Sequence, residues 1–600
     1  MWRKWIEMGF LSNGHVCFAE TFGRLAKVSE HEKLAFALVC RAVEQGSSCF
    51  DLARLPTQWD VHGESHNLSW PNPRDWLNCL KKSGLVAMPD GQSPKPFFFD
   101  GESRLYMWRY WEYEQQFTQF LNARIKMPKT EIDAEVRAQI LRFFPADLFD
   151  EHQRDAAFVS VRSPLAIITG GPGTGKTTVV TRLLLLYIQR ALAGGRSLPR
   201  MALLAPTGKA ASRLMSSIQS QVKLLPKDLV GLAQYLPNET STIHRLLGYQ
   251  PFAPTEFRHN ATNPLSFDLV IVDECSMVDL PLMTKLTQSL RSETRLILLG
   301  DHHQLSSIEV GSVLGDLVED EHLSRDWLSR AEPNLNNHVV VLKTSYRIDA
   351  SSQLGRLTHA IRGGLKEKCE QLLTTCDDIE LFGSAINSRD FENWIMEHFG
   401  DLGGDDPMDL LARQSECRLL CAHRYGRFGS LALNTLIESL LMEKGLVKTG
   451  AKWYSGRPVI MTQNHQQLDL FNGDMGVVFR QADGASRVGF LGSDGLLRSF
   501  NPIQLPACET AYALTIHKSQ GSEWRHVGLV FPDWVSPIMT RELVYTGLTR
   551  AQEKVSIFGS VPTILAAIDR RVERASGLRT QFRRGQSVTE PTSQQLELFE

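Results

Sequence analysis

Residues 170–178 read Gly-Gly-Pro-Gly-Thr-Gly-Lys-Thr-Thr, a glycine-rich loop that ends in a lysine and two hydroxyls. Gly170, Gly175, Lys176 and Thr177 fit G-x-x-x-x-G-K-[ST], in which successive backbone N–H groups turn toward phosphate oxygens. The whole loop, with Gly171, Pro172, Gly173, Thr174 and Thr178, forms the cradle for ATP. Lys176 reaches the β- and γ-phosphates, and the Thr177 hydroxyl sits on Mg²⁺. Further on, LVIVDECSM (269–277) carries Asp273 and Glu274 at the end of an apolar run. Asp273 is placed to hold Mg²⁺, directly or through water, and Glu274 to orient and deprotonate an attacking water. An acidic pair at a strand end can also be plain surface, so its weight comes from the combination with the loop.

Other residue types extend the constellation. Gln304, in RLILLGDHHQLSSIEVG (295–311), falls just past a strand end where it can sense the γ-phosphate. Gln153, in EHQRDAA, lies upstream of the loop, and its amide could donate one hydrogen bond to an adenine edge and accept another; taken alone, a helical glutamine is usually solvated. Arg347 in KTSYR and Arg550 in YTGLTRAQEK come from a later segment. Arginines that reach a nucleotide held by another domain make closure depend on the γ-phosphate, although either could be a structural ion-pair partner.

A separate set suits a phosphate backbone. APTGKAASRL (205–214) follows a strand end and presents Pro206, Thr207 and Lys209. STIHRLLG (241–248) and LTIHKSQGSEW (514–524) each hold a Thr-x-His pair, which adds His244, Thr515 and His517. Histidine near a helix start is often only a cap. Single-stranded nucleic acid needs few charges and some stacking surface, which suits a formal net charge of −2.

These residues need scaffolding. LAIIT before the loop and TTVVTRLLLLYIQRAL after it read as a buried strand and a helix whose N-terminus favours an anion. With MALLAP, LVIVDE and RLILLGD they give the rhythm of a parallel sheet wrapped by helices over 126–330. A protruding loop or hairpin is expected at 248–268, a wedge at a duplex junction or merely a loop. A second series begins at HVVVLKTSYR and resumes at RLLCAHR, AYALTIHKSQG, HVGLVFP and KVSIFGS, giving a second sheet domain over 331–449 and 506–575. Short strands with Asn-Gly and Asp-Gly turns at 450–505 suggest an inserted small β-barrel. Residues 1–125 read as a mainly helical module whose aromatics favour an interface over a small core. The polar stretch 576–600 reads as a flexible tail.

Six hundred residues allow several domains, and no global basic field advertises nucleic-acid binding. The ten cysteines are scattered without a zinc or iron–sulfur pattern and read as free thiols of a reducing cytosol. No signal-peptide core or membrane-length apolar run is present, so a soluble cytoplasmic protein is expected.

In order, EHQRDAA, GGPGTGKTT, APTGKAASRL, STIHRLLG, VDECSM, LGDHHQLSSIEVG, KTSYR, LTIHKSQGSEW and YTGLTRA resemble the superfamily 1 DNA helicases, over about 150–575. Within them the spelling is most similar to the RecD family, the alpha subunits of exodeoxyribonuclease V. The resemblance implies two RecA-like domains, an inserted SH3-like barrel matched by GRPVIMTQN and FNGDMG, and an N-terminal docking module. It implies a 5′→3′ ATP-dependent DNA helicase that partners RecB and RecC in break repair, recombination and DNA degradation. Lys176, Thr177, Asp273, Glu274, Gln304, Arg347 and Arg550 would carry hydrolysis, and Pro206, Thr207, His244, Thr515 and His517 would touch DNA. Cys275 departs from the small residue usual at its place without a change expected in hydrolysis. The competing readings are an RNA helicase on the same chassis, a nuclease, and a structural subunit with a vestigial ATP site. For nuclease chemistry the sequence offers no acidic cluster with a lysine outside the ATP site.

Overall fold

The chain is described by a computed structural model that covers residues 2–586 apart from 57, 62–63, 91–92, 251–252, 254–255, 319–334, 347–351, 376–377, 384–385, 493–494 and 506. The apolar runs before and after the phosphate loop become strands of one parallel sheet. Its order is Val339–Leu342, Leu165–Gly170, Arg295–Gly300, Leu269–Val272, Met201–Ala205 and Ser241–Thr242. Every neighbouring pair runs parallel. Helices cover both faces, which is why the central strands are continuously apolar instead of alternating. One face packs on helices Glu151–Arg162, Lys176–Ala193 and Gly208–Lys223. The other packs on Trp108–Lys126 and Leu280–Gln288.

The second parallel sheet has the order Ile379–Leu381, Ala551–Phe558, Trp524–Val530, Cys417–Cys421 and Ala513–Thr515. In sequence, between Cys417–Cys421 and Ala513–Thr515, lies a five-stranded antiparallel sheet: Leu497–Phe500, Ser486–Leu491, Met475–Arg480, Pro458–Met461 and Cys508–Thr510. It buries a small core of its own around Val459, Val478, Val488 and Phe490.

Three expectations change. Val339–Leu342 is not the start of the second sheet: it pairs in parallel with Leu165–Gly170 at the edge of the first. An apolar run declares a buried strand but not its neighbour, and here the chain returns to the first sheet before crossing over. The N-terminal module is helical but also holds a four-stranded sheet, Cys49–Asp51, Arg104–Met107, Phe97–Phe99 and Val86–Ala87. Strands this short show no period-2 pattern. Its aromatics chiefly fill that module's core: Trp76, Phe36, Phe97 and Phe99 are fully buried, and Phe36 stacks on Phe97 with centroids 4.0 Å apart.

The third change is at the C-terminus. Residues 578–586 form a helix, and Leu578 and Phe582 bury into the core of the first sheet. Two apolar anchors one turn apart in a charged stretch suffice to seat it, a signal too sparse to separate from a tail in sequence. The rest of the expected tail, 587–600, lies outside the described residues. Within 248–268, Tyr249 bridges Phe257 and Asn260 bridges Asn263, while Phe257 and Leu265 anchor the excursion in the core.

Candidate nucleotide site and nucleic-acid interface

The phosphate loop joins the strand Leu165–Gly170 to the helix Lys176–Ala193. Gly175 caps that helix with φ 81°, a left-handed conformation that glycine adopts without steric cost. A Cβ there would collide with the Gln153 amide, and a Cβ on Gly170 would meet the Leu342 carbonyl at 2.8 Å. Lys176 Nζ donates to the carbonyls of Gly170 (2.6 Å) and Gly171 (2.9 Å), so its ammonium lies over the loop.

Gln153 is buried, and its Nε2 donates to the Thr174 carbonyl at 3.2 Å. Its side chain also closes a capping box with Asp150 at the start of its own helix. The amide is thus built into the loop wall. Tyr346 lies beside it: its N–H donates to the Gly173 carbonyl (2.8 Å) and its hydroxyl to Asp150 (3.1 Å), with the ring 56% exposed. Arg347, the next residue, lies outside the described residues.

Asp273 and Glu274 follow the strand Leu269–Val272, held by the Asp273 N–H donating to the Leu204 carbonyl. Asp273 Oδ1 accepts from the Glu274 N–H at 2.9 Å. Glu274 has φ 50° and ψ 40°, a left-handed conformation that costs a non-glycine residue about 1–2 kcal/mol. Such strain is typical of residues held for a task. Burial, and next the charge of Glu274, push Asp273 up to about 6 against the pull of Lys176 and Arg213.

Gln304 is buried and donates from Nε2 to Asp301 Oδ2 at 3.1 Å. The same oxygen accepts from the Tyr545 hydroxyl at 3.0 Å, and Tyr545 belongs to the helix Arg541–Leu548 of the second sheet unit. Alongside, the Leu305 N–H donates to Thr546 and Gln520 donates to the Leu305 carbonyl, both at 3.0 Å. The loop that follows Gln304 is therefore stitched across the cleft.

Arg550 lies just past the end of that helix, fully buried, donating to the carbonyls of Thr546 (3.1 Å) and Ser522 (3.3 Å). Desolvation lowers its pKa, opposed by the nearby charges of Glu274 and Glu523. Arg213 pairs with Glu523 at 2.5 Å, a second bridge between the two sheet units. Gln153, residues 172–178, Asp273, Glu274, Gln304 and Arg550 all line one cavity of about 670 Å³, joined by Arg213, Glu523 and Tyr346. The last three, and Tyr545, escaped the sequence reading.

The residues assigned to nucleic acid are more dispersed. Pro206 and Thr207 are half-buried at the end of Met201–Ala205, and Thr207 Oγ1 accepts from the Ala210 N–H at 3.2 Å as a helix cap. Lys209 turns toward the second sheet unit, its Nζ 5.9 Å from the Trp524 ring centroid. Burial and the neighbouring Arg418 push it down to about 7, so it is a poor phosphate anchor where it stands. His244 is exposed, 5.8 Å from the Phe257 ring. Thr515 accepts from the Lys518 N–H at 3.3 Å, and burial together with Arg574 holds His517 below the usual imidazole range. A groove of about 370 Å³ runs between the helix Gly208–Lys223, Thr242 and Arg245 on one side and Phe471, Asp474 and Arg498 of the antiparallel unit on the other.

Comparison with known proteins fits this layout. The N-terminal domain model of RecBCD enzyme subunit RecD matches residues 7–106, an AAA domain model matches 153–310, and a UvrD-like helicase C-terminal domain model matches 510–558. RecBCD enzyme subunit RecD of Mycolicibacterium smegmatis is 38% identical over 92% of this chain and 93% of its own length. The Haemophilus influenzae subunit is 32% identical over 96% of this chain and 98% of its own. The chain belongs to the RecD family. Another RecD-type relative, the ATP-dependent RecD2 DNA helicase of Deinococcus radiodurans, is 30% identical over 70% of this chain and 50% of its own length.

The family's nucleotide chemistry suits the residues present. Two adjacent carboxyls, one driven up by burial and next by the other's charge, call for a cation beside them, and Thr177 lines the same cavity. At Gly170 and Gly175 the loop leaves bare backbone where a side chain would collide. No described helix of this RecD-family chain is long and apolar enough to cross a membrane.

Proposed function

We infer that this chain is the ATP-dependent DNA helicase subunit of a RecBCD-type assembly, moving 5′→3′ along single-stranded DNA with RecB and RecC as its partners. The observation that carries the reading is the cavity walled by both parallel-sheet units, with Lys176, Asp273 and Glu274 from one and Arg550 and Glu523 from the other. A nucleotide held there touches both units, so its hydrolysis changes how they meet.

In this reading the loop N–H groups and Lys176 bind and orient the phosphates. Asp273 and Thr177 would hold Mg²⁺, which when bound would neutralise developing phosphate charge. Glu274, fixed in its left-handed turn, aligns and deprotonates the attacking water. Arg550 stabilises charge in the transition state, a role that Arg347 would share. Gln304 reports the γ-phosphate to the second unit through Asp301 and Tyr545. The exposed ring of Tyr346, next to Gln153, offers an adenine a stacking face beside an amide.

The two parallel-sheet units are read as RecA-like motor domains and the antiparallel unit as an SH3-like barrel. The barrel and the first motor would flank the DNA strand along the groove between them. Pro206, Thr207, His244, Thr515 and His517 would contact that strand. Residues 248–268 are read as the strand-splitting element and the N-terminal module as the docking surface. A cytoplasmic location follows from this work on DNA.

The test is ATP hydrolysis by the chain alone, with single-stranded DNA and with matched RNA, then with RecB and RecC, each with and without Lys176→Gln. Stimulation by DNA in the wild type only supports the reading. Equal stimulation by RNA moves the substrate class. A complete assembly whose DNA unwinding from the 5′-ended strand is untouched by Lys176→Gln makes this chain a scaffold.

A further inference from the structure

On the face of the second sheet covered by the helix Arg389–Phe399, three side chains that the nucleotide chemistry does not use converge: His398 from that helix, Cys417 at the start of its strand, and His526 near the start of the neighbouring strand. Cys417 and His526 are register partners in the parallel ladder, so their side chains share one face. The ligand-capable atoms of all three lie within 4.8 Å of one another. The thiol is buried and both imidazoles are half-buried, and none of the three lines the nucleotide cavity.

Hydrogen bonding fixes the tautomers. His398 Nδ1 lies 2.9 Å from the Trp394 carbonyl, which can only accept, so Nδ1 carries the hydrogen and Nε2 presents a lone pair. Ser556 Oγ donates its one hydrogen to Glu380 (2.6 Å) and accepts from Trp394 Nε1–H (2.9 Å). Its remaining lone pair faces His526 Nε2 at 2.8 Å, so that nitrogen is the donor and His526 Nδ1 is bare. His398 Nε2 and His526 Nδ1 then stand 2.7 Å apart with lone pairs facing. Two lone pairs at that spacing repel unless an electropositive centre lies between them.

We propose that His398 Nε2, His526 Nδ1 and Cys417 Sγ form a zinc(II) site in the second sheet unit, with water as the fourth ligand. Two imidazoles and a thiolate are a borderline-soft set that suits zinc in tetrahedral geometry. Each imidazole already has the outer partner that orients a metal-bound histidine, a backbone carbonyl for one and a carboxylate-linked serine for the other. Two nitrogens at about 2.0–2.1 Å from a tetrahedral ion stand roughly 3.3 Å apart, so the rings must part by about 0.6 Å. On binding, the Cys417 thiol gives its proton to solvent and the metal–sulfur bond replaces S–H. The ion would pin a surface helix to the feet of two strands, one of which begins right after Glu523.

The test is titration of the metal-depleted full chain with cobalt(II) and zinc(II). The expected result is one cobalt per chain, with the thiolate-to-metal charge-transfer band and the visible bands of a tetrahedral site. Zinc should displace the cobalt stoichiometrically and raise the Tm by a few degrees. Cys417→Ser should lose the charge-transfer band, and His526→Gln should weaken cobalt binding at least tenfold. No cobalt uptake by the folded wild type would overturn the site and leave a shared proton between the imidazoles. A band that survives in Cys417→Ser overturns it equally, since another thiol would then be the ligand.

Discussion

The Tyr545 hydroxyl donates to Asp301 Oδ2 at 3.0 Å, and Gln304 Nε2 donates to the same oxygen at 3.1 Å. A residue that lines the cavity and a residue of the opposite sheet unit thus share one acceptor. Burial and the charge of Asp301 raise the Tyr545 pKa well above its ordinary range, so the phenol stays a donor. Any shift of Gln304 alters the geometry available to Tyr545.

Tyr545→Phe removes that donor with little change of shape. A hydrogen bond to a charged group is worth about 1.5–3 kcal/mol, so the stimulation of ATP hydrolysis by single-stranded DNA should fall about tenfold or more. Basal hydrolysis should change little. The ratio of stimulated to basal rates reports it, and an unchanged ratio removes Tyr545 from the coupling path.

Lys176→Gln takes away the ammonium that lies over the loop. Hydrolysis should drop by at least about 100-fold, in line with the loss of one preorganised charge donor. Assembly with the partners, read by co-purification, should be intact, because Lys176 touches only its own loop carbonyls in the hydrogen bonds above.

Arg550→Ala should leave nucleotide binding within a fewfold of wild type and cut turnover by about 10³-fold, as for other arginines supplied to a phosphoryl group. Arg550 also donates to the Thr546 and Ser522 carbonyls from a buried position, so some loss of thermal stability should accompany it. Arg550→Lys separates the effects: charge is restored without the planar fork, so stability should recover more than turnover. A fluorescent nucleotide and a steady-state assay distinguish the two, and normal turnover in Arg550→Ala would take this side chain out of the reaction.

Glu114 gives a pH signature. It is fully buried, accepts from Ser48, Ser576, the Gly577 N–H and Gln581, and is pushed up to about 7, chiefly by desolvation. A carboxyl that holds its proton more tightly folded than unfolded stabilises the chain at low pH, and this contribution fades as pH rises through about 7. Unfolding midpoints measured from pH of about 5 to about 8 should therefore decline more steeply in wild type than in Glu114→Gln, by up to ~3 kcal/mol. Parallel profiles would show that Glu114 stays ionised among its donors.

Much of this was legible in the sequence for a physical reason. The phosphate loop is contiguous, so its chemistry is spelled in one place, and strands buried on both faces announce themselves as unbroken apolar runs. Residues that meet only after folding left no such mark. Arg213, Glu523 and Tyr346 line the cavity because helices and loops distant in sequence bring them there. Val339–Leu342 reads the same whichever sheet receives it, and the pairs that decided the matter are backbone contacts with Leu165–Gly170. Lys209 sits in a phosphate-binding pattern, yet Trp524 from the other unit packs over it.

The C-terminal segment alters what kind of machine the chain can be. From the last helix of the second sheet unit, Val561–Asp569, the polypeptide returns to the first: Arg574 grips the carbonyls of Ser307, Glu309 and Gly311, and Leu578 and Phe582 sink into the first core. The second unit is therefore moored at both its entrance and its exit to a single body, like a handle and not a trailing module. The leash Arg570–Ser576 spans at most about 25 Å fully extended, at ~3.3–3.6 Å per residue. That length caps the stroke: the cleft can gape only as far as the leash allows, and every excursion tugs on the loop just beyond Gln304.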